Sequence, residues 1–418
     1  MEHFLIFLSI VLVFIMLMLF INEKTLKLPN EIFLLGTSLV VGIVLFIMKE
    51  CGIGWNMDVI VETIDHFRID KVLMNILLCF MLFSGASELK LKDLTKNFRP
   101  ISLLALGTTL ISSALFGLII MGAFRLLGVN ASYSICVLIG AIVSPTDPIA
   151  ATGILNKLGL AEDVITTIEG ESLFNDGTGV ALFIFLKELI CDTASSNFFV
   201  IMGRELGGAV LIGLAVSFVF FFIMKHTKDP IKHIIISLAA VAVCYSTCEI
   251  LHCSGVIASV ICGIYFSTMK EKWHKSEEGI DPHSWYRDFW HVIDNLFNYS
   301  LYALMGISFI YMSVDNKTFI IAVIAIVANF VARFIGVFIS SVLVKHNPGE
   351  FSNPKFTLLL TWGGLKGGLC MALALGTSSF LELEMFNSVM AAAFAIIVFT
   401  TLVQGLTVSK VYKKISSK

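Results

Sequence analysis

The 418-residue chain is 57% hydrophobic and 14% charged, with a mean hydropathy of +0.90, whereas soluble domains carry about 25% charged residues. That composition excludes an ordinary soluble domain, and the formal net charge of -2 gives no ground for a nucleic-acid partner. The nine cysteines are scattered, with Cys136, Cys244 and Cys262 inside apolar stretches, so neither a disulfide framework nor a zinc spacing is visible.

The apolar residues come in blocks of roughly 18 to 25, each long enough to cross a hydrocarbon layer about 30 Å thick. The chain is therefore an all-α polytopic membrane protein. In chain order, thirteen spans are predicted at about 4–21, 31–48, 71–87, 99–124, 132–156, 164–190, 200–224, 233–250, 254–269, 292–312, 317–344, 355–378 and 386–408. The first begins at Phe4 with no basic region and no cleavage site, which reads as a retained helix and not a signal peptide. Alternate loops carry unequal numbers of Lys and Arg. Twenty lie on the side of Lys24, Lys90, Lys225, Lys270 and Lys410, and seven on the side of Lys49, Arg125 and Arg204. The basic side belongs in the cytoplasm. The N-terminus is then expected outside, and the C-terminus inside with a short tail over 409–418. This needs an odd number of spans, and thirteen meets it. Arg333 and Lys366 fall inside spans, where a charge at mid-bilayer costs about 2.5 to 3.5 kcal/mol. They need partners or water.

The fifth span contains "SPTDP", Ser144 to Pro148. Pro145 and Pro148 each lack an amide donor and clash with the helical turn before them. Pro148 suits the first position of a new helix, with Asp147 as its N-cap. The segment reads as two half-helices joined by an unwound link, whose bare carbonyls are tolerated at this depth only against protein or a cavity. A soluble Ser/Pro/Asp surface turn would demand two short helices, which the Lys and Arg distribution opposes.

The sixth span opens with "EGESLFNDG", Glu169 to Gly177, and runs on as apolar helix from Thr178. "NDG" is therefore not a hairpin turn, and Gly177 and Gly179 read as close-packing positions. Spans five and six meet at a turn near Gly159. Asp147 and Asp176 then lie about 15 and 20 Å deep, both near the midplane. With Glu169 and Glu171 they are counted as the intramembrane acids. At about 100° per residue, Glu169, Ser172 and Asp176 share one helix face, while Glu171 and Asn175 share another. The first can hold a cation with carboxylate and hydroxyl oxygens. The second can hold a supporting ion pair.

The twelfth span carries "TWGGLKGGLC", Thr361 to Cys370, a glycine break around Lys366. Spans one to six and eight to thirteen form two repeats of opposite orientation, about 1–190 and 233–408, joined by a linking helix at about 200–224. The proline break and the glycine break are each fifth of six. Interrupted helices at matching positions of inverted repeats point to a transporter site at the midplane, within a single transmembrane domain spanning 1–418.

"SPTDPIA", "EGESLFNDGTGVALF", "ARFIGV" and "TWGGLKGG" resemble, in that order, the sodium/proton antiporters of the NhaP and eukaryotic exchanger type. The motifs run from Ser144 to Gly368, and the thirteen-span plan fits the whole chain. The resemblance implies a core domain moving against a dimerisation domain, and a homodimer. It implies that Asp176 is the ion- and proton-binding carboxylate, that Ser172 and the backbone around Thr146 supply further oxygens to Na+, that Asp147 supports the site, and that Glu171 pairs with Arg333. Asn175, where electrogenic relatives have a second aspartate, implies the electroneutral branch. Two positions depart from the pattern. Lys366 stands where relatives often have Arg, which keeps charge and loses the planar fork. Ser84, in "CFMLFSGASEL", stands where several relatives have a glutamate that helps hold the ion; Glu88, one turn on, reads as a loop-end residue. Both departures bear on the choice among Na+, Li+ and K+. Glu169 shares the binding face without an assigned role.

The expected activity is exchange of Na+ (or Li+) for H+, one for one and without net charge, across a bacterial or archaeal cell membrane. A proton and a cation each neutralise Asp176 and exclude one another, and the neutralised core crosses between inward- and outward-open states. Lys366 is expected to offset the carbonyl ends of its own broken helix. No nucleotide-binding glycine loop is present and no cofactor is implied, so ion gradients would drive the exchange. The alternatives are a K+/H+ or electrogenic exchanger, a cation channel filtered by Asp147 and Asp176, and an intramembrane aspartyl protease. The protease lacks its usual "GxGD" context here and leaves Arg333 and Lys366 idle.

Overall fold

The computed structural model describes residues 2–51, 78–89, 91–147, 160, 162–191, 200–201, 203–227, 229–274, 283–307, 309, 315–344 and 353–416. Among the described residues there are helices and no strand. Helices suit hydrocarbon, because each backbone donor and acceptor is satisfied within its own segment. The helices are α1 (Glu2–Lys24), α2 (Asn30–Glu50), α3 (Leu78–Glu88), α4 (Leu91–Lys96), α5 (Phe98–Leu126), α6 (Tyr133–Val143), α7 (Glu162–Ile190), α8 (Gly203–Lys225), α9 (Pro230–Ile250), α10 (Gly255–His274), α11 (His283–Ile307), α12 (Asn316–Leu343), α13 (Asn353–Gly363), α14 (Gly368–Gly376) and α15 (Leu383–Ile415).

Six of these, α2, α5, α8, α9, α12 and α15, are long and apolar enough to cross a membrane, and α13 with α14 is apolar enough only as a pair, bent by 63° as in a broken span or a re-entrant loop. α3 and α6 are shorter apolar helices. Residues 71–77 of the predicted third span, the second half of the fifth span from Pro148, and the turn near Gly159 lie outside the described residues. The last helix continues beyond 408, the predicted end of the last span. Lys355 Nζ donates to the Ile415 carbonyl (2.8 Å), so a cation caps the negative end of that helix.

Local chemistry explains several ends. Ser132 caps α6, its Oγ accepting from the Ile135 amide (3.4 Å). Asp229 caps α9 ahead of Pro230, and Asp315 caps α12 through the Thr318 amide (2.8 Å). α6 stops at Val143 because Pro145 has no amide for the Ala141 carbonyl; the Ser144 hydroxyl donates to that carbonyl instead (3.1 Å).

α7 runs through the interior, buried almost without interruption from Val164 to Phe183. α8 and α12 lie outside and show apolar side chains at helical spacing, Leu211, Leu214, Phe218 and Phe222 on one, Phe319, Val323 and Val327 on the other. Such a stripe suits lipid. Small polar residues carry contacts between buried helices, as where Thr108 Oγ1 of α5 donates to Ser340 Oγ of α12 (3.3 Å).

Candidate functional site

The unwound residues 144–147 after α6 meet the link between α13 and α14. The Asp147 amide donates to the Leu365 carbonyl (2.8 Å). Lys366 Nζ donates to the Ser144 carbonyl (2.9 Å), and Cys370 Sγ lies 3.6 Å from the Pro145 carbonyl. Backbone groups released by one break are thus satisfied by the other, which is how non-helical chain is tolerated at this depth. Close approach at the crossing requires glycine. A Cβ at Gly367 would lie 2.8 Å from the Asp147 Cβ and Oδ2, and a Cβ at Gly364 would fall on the Arg333 guanidinium.

Lys366 is 1% exposed. Its amide donates to Thr400 Oγ1 (3.2 Å), and its carbonyl accepts from Thr401 Oγ1 (3.3 Å). The expectation that Lys366 offsets its own helix is corrected: its ammonium reaches the carbonyl end of α6. The crossing sets Lys366 opposite that end, where the helix dipole is negative and the carbonyls lack amide partners.

A polar chain lies behind the crossing. Arg333 Nη2 donates to Glu171 Oε1 (3.4 Å) and Oε2 (3.5 Å). Arg333 Nε and Nη2 also donate to the Leu360 carbonyl at 3.4 and 3.3 Å. Asn175 Nδ2 donates to Glu171 Oε1 (2.9 Å) and to Thr146 Oγ1 (2.7 Å), and Asn175 Oδ1 accepts from the Thr146 amide (3.2 Å). The Thr146 and Ser172 hydroxyls are 2.9 Å apart. The two predicted faces of α7 are therefore joined through Thr146, and each residue of the chain has at least one hydrogen-bond partner within it.

In front of the crossing lies a cavity of about 80 Å³, bounded by α3, the link after α6, α7, α11 and the start of α14. Its polar lining is Thr146, Asp147, Asp176, Asp294 and Asn298, set among Leu78, Met81, Leu82 and Leu301. One water needs about 10–15 Å³, so the cavity admits a small ion with part of its hydration shell. Asp176 is buried, and the charged groups acting on it are Asp147, Glu171 and Lys366. Asp147 Oδ2 accepts a 2.6 Å hydrogen bond from Tyr302 Oη. Among the described residues no group of three or more His, Cys, Asp or Glu is arranged to hold a metal ion.

The predicted residues are thus distributed. Asp176, Asp147 and Thr146 line the cavity. Ser172, Asn175, Glu171 and Arg333 form the chain behind it, and Lys366 braces the crossing. Ser84 is buried, with its hydroxyl donating to the Trp290 carbonyl (3.0 Å) on α11 and not lining the cavity. Glu169 is half-buried, faces the charge of Glu88, and is also not part of the lining. Gly177 and Gly179 meet Ile257 and Pro145, where a Cβ would come within 2.6 Å of each.

Sequence reasoning missed Asp294, Asn298 and Tyr302. Asp294 lies within the tenth span, predicted from about 292, yet is not among the four acids read as intramembrane from the sequence. The signal was available: three polar residues at four-residue spacing mark one stripe of a helix.

The family model described as "Sodium/hydrogen exchanger, transmembrane" matches residues 9–414. The Na(+)/H(+) antiporter NhaP of Pseudomonas aeruginosa is 29% identical over 96% of this chain and 94% of its own length. The Na(+)/H(+) antiporter NhaH of Halobacillus aidingensis is 29% identical over 94% of this chain and 93% of its own. Among solved structures, the fold is similar to that of the sodium proton antiporter MjNhaP1 from Methanocaldococcus jannaschii. The TM-score is 0.80 at 21% identity, covering 99% of this chain and 98% of that one. The chain belongs to the sodium/hydrogen exchanger family.

Proposed function

We propose that this member of the sodium/hydrogen exchanger family is a secondary antiporter that exchanges Na+ or Li+ for H+, one for one, with cation and proton competing for Asp176. The observation that carries the reading is a cavity lined by Asp176, Asp147 and Thr146 where two interrupted helices cross. The relatives named as Na(+)/H(+) antiporters along nearly the whole chain support it.

The coupling is electrostatic. A buried carboxylate is costly when charged and alone. A proton relieves it, and so does a cation, but each uses the same negative charge. Arg333 compensates Glu171, and Lys366 is held on the Ser144 carbonyl, so it meets the charge of Asp176 only from a distance and the cargo supplies the rest. Thr146 offers backbone and hydroxyl oxygens to the ion, while Ser172 and Asn175 hold Thr146 in position. Once neutral, the core crosses between the two membrane faces; charged and empty, it crosses slowly. No cofactor takes part, and gradients supply the drive.

In this reading the two inverted repeats, about 1–190 and 233–408, are joined by the linking helix at about 200–224. The protein works as a homodimer in the cell membrane, N-terminus outside and C-terminus in the cytoplasm, which the Lys and Arg distribution supports.

The test is exchange in liposomes holding an internal pH dye, with Na+, Li+ or K+ added in turn and the membrane voltage either free or clamped. Asp176→Asn runs alongside. Proton movement driven by Na+ or Li+, lost in the variant and indifferent to voltage, is the expected result. Exchange with K+ alone, or exchange that follows voltage, would replace the Na+ or the one-for-one assignment. No exchange with any ion in folded protein would remove the antiporter reading.

A further inference from the structure

We propose that Asp294 on α11 is a second cation-binding carboxylate of the transport cavity, working across it from Asp176 with the Asn298 amide beside it. The inference rests on the antiporter reading above and adds a residue to its ion site.

Asp294, Asn298 and Tyr302 follow one another at four-residue intervals and share a stripe of α11. Tyr302 fixes the rotation of that stripe, because its hydroxyl is bonded to Asp147 Oδ2 at 2.6 Å. Asp294 and Asn298 consequently line the same cavity as Asp176 and Thr146. Two further observations point to a ligand. Asn298 is 3% exposed, and its Nδ2 has no hydrogen-bond partner among the described residues. A buried polar atom left unpaired is costly. An amide facing a cavity relieves that cost when water or an ion enters, and a half-turn presents its carbonyl oxygen to a cation. Asp294 is half-buried and makes no hydrogen bond or ion pair among the described residues. The charges acting on it are Asp147, Glu88 and Glu31, all acidic. His291, one turn earlier on α11, is directed at Glu88 at 4.0 Å.

A carboxylate kept for structure is held by a basic side chain or by amide donors, as Glu171 is held by Arg333. Among the described residues Asp294 has neither, and a mobile cation in the cavity supplies the positive charge in this proposal. The bland alternative is a solvated residue on the helix rim. Its half-burial and its place in the wall of the Asp176 cavity oppose that. The cavity volume of about 80 Å³ lets one partly hydrated ion be shared between two walls through bridging water.

The experiment uses the full chain in liposomes, with initial exchange rates measured across a Na+ and a Li+ concentration series at fixed pH. The variants are Asp294→Asn, Asp294→Glu and Asn298→Ala. Calorimetric Na+ titration of detergent-purified protein gives a binding readout independent of transport. Loss of one charge-assisted ligand predicts an apparent KM and Kd about tenfold higher in Asp294→Asn, with the maximal rate retained. Asp294→Glu is expected to recover most of the affinity but shift the Na+/Li+ preference, since the carboxylate is kept and moved. Asn298→Ala should raise KM to a smaller extent. Unchanged KM and Kd in Asp294→Asn overturn the inference while wild-type exchange leaves the antiporter reading standing. A lowered maximal rate with unchanged Kd overturns it as well. If Asp294→Asn does not fold, an unaltered Na+/Li+ preference in Asp294→Glu has the same consequence. Absence of exchange in the wild type removes both readings.

Discussion

The buried pair between Arg333 and Glu171 offers a quantitative test of how α12 and α7 are tied together. Glu171→Gln keeps the shape and the acceptor for Asn175 but removes the charge. Arg333, 5% exposed, would then face only neutral acceptors, the Gln amide oxygen and the Leu360 carbonyl at 3.3 and 3.4 Å, without the Glu171 charge. At the observed 3.4 Å separation, two unit charges attract by about 5 kcal/mol at an effective dielectric near 20. Desolvation offsets much of that attraction, but it is not recovered when only one partner is removed. Loss of one member of such a pair costs about 3–5 kcal/mol. Glu171→Gln and Arg333→Gln should each be destabilised to that extent, and the double variant should lie much nearer the wild type. The singles sum to about 6–10 kcal/mol, so a double variant destabilised by no more than about 2 kcal/mol gives a coupling of at least about 4 kcal/mol, above the usual range of about 0.5–3 for neighbouring residues. Thermal unfolding of the four proteins in one detergent measures the cycle. Additive single effects, or a Glu171→Gln protein as stable as the wild type, would show that the pair does not carry the charge balance assigned to it.

Gly364→Ala places a methyl group on the Arg333 guanidinium, whereas a Cβ at the neighbouring Gly363 meets nothing within 4 Å. Overpacking of this kind costs about 1–3 kcal/mol, so Gly364→Ala should melt earlier than wild type and Gly363→Ala should not; equal melting of the two variants refutes the close approach. Competition for one carboxylate also fixes the sign of the pH dependence. As pH falls, more of Asp176 is protonated, so the apparent KM for Na+ rises, approaching about tenfold per pH unit by mass action, while the maximal rate is held. Initial exchange rates across a Na+ series at several pH values measure it, and a KM independent of pH refutes competition.

Composition alone makes this a membrane protein, and span length makes it helical, because both follow from the cost of bare backbone in hydrocarbon. The breaks are equally local. Pro145 removes a donor wherever it sits, and four glycines around a lysine do not continue an apolar helix. The faces of α7 follow from its period, so Glu171 with Asn175 and Ser172 with Asp176 were legible before any packing was known. Helix depth predicts Asp176 and Asp147 at a similar level on adjacent helices, and the two residues line one cavity.

Helical period does not say which neighbour a face meets. Lys366 is inside a span in either view. That its ammonium holds the Ser144 carbonyl and not its own helix depends on two links crossing at an angle set by the whole bundle. Ser84 looks like a cavity residue by its neighbours in the chain, yet its hydroxyl is taken by the Trp290 carbonyl. Asp294 sits near the edge of a predicted span, where an acid ordinarily meets water. Its place in the cavity wall comes from the rotation of α11, which the bond from Tyr302 to Asp147 fixes across 155 residues of chain. The sequence by itself determined the solvent, the secondary structure and the acids of α7, since each depends on short-range chemistry. The partners of Lys366 and Ser84 and the place of Asp294 in the cavity wall were decided by the tertiary structure alone, because contacts between helices depend on their rotation and crossing, which no single segment encodes.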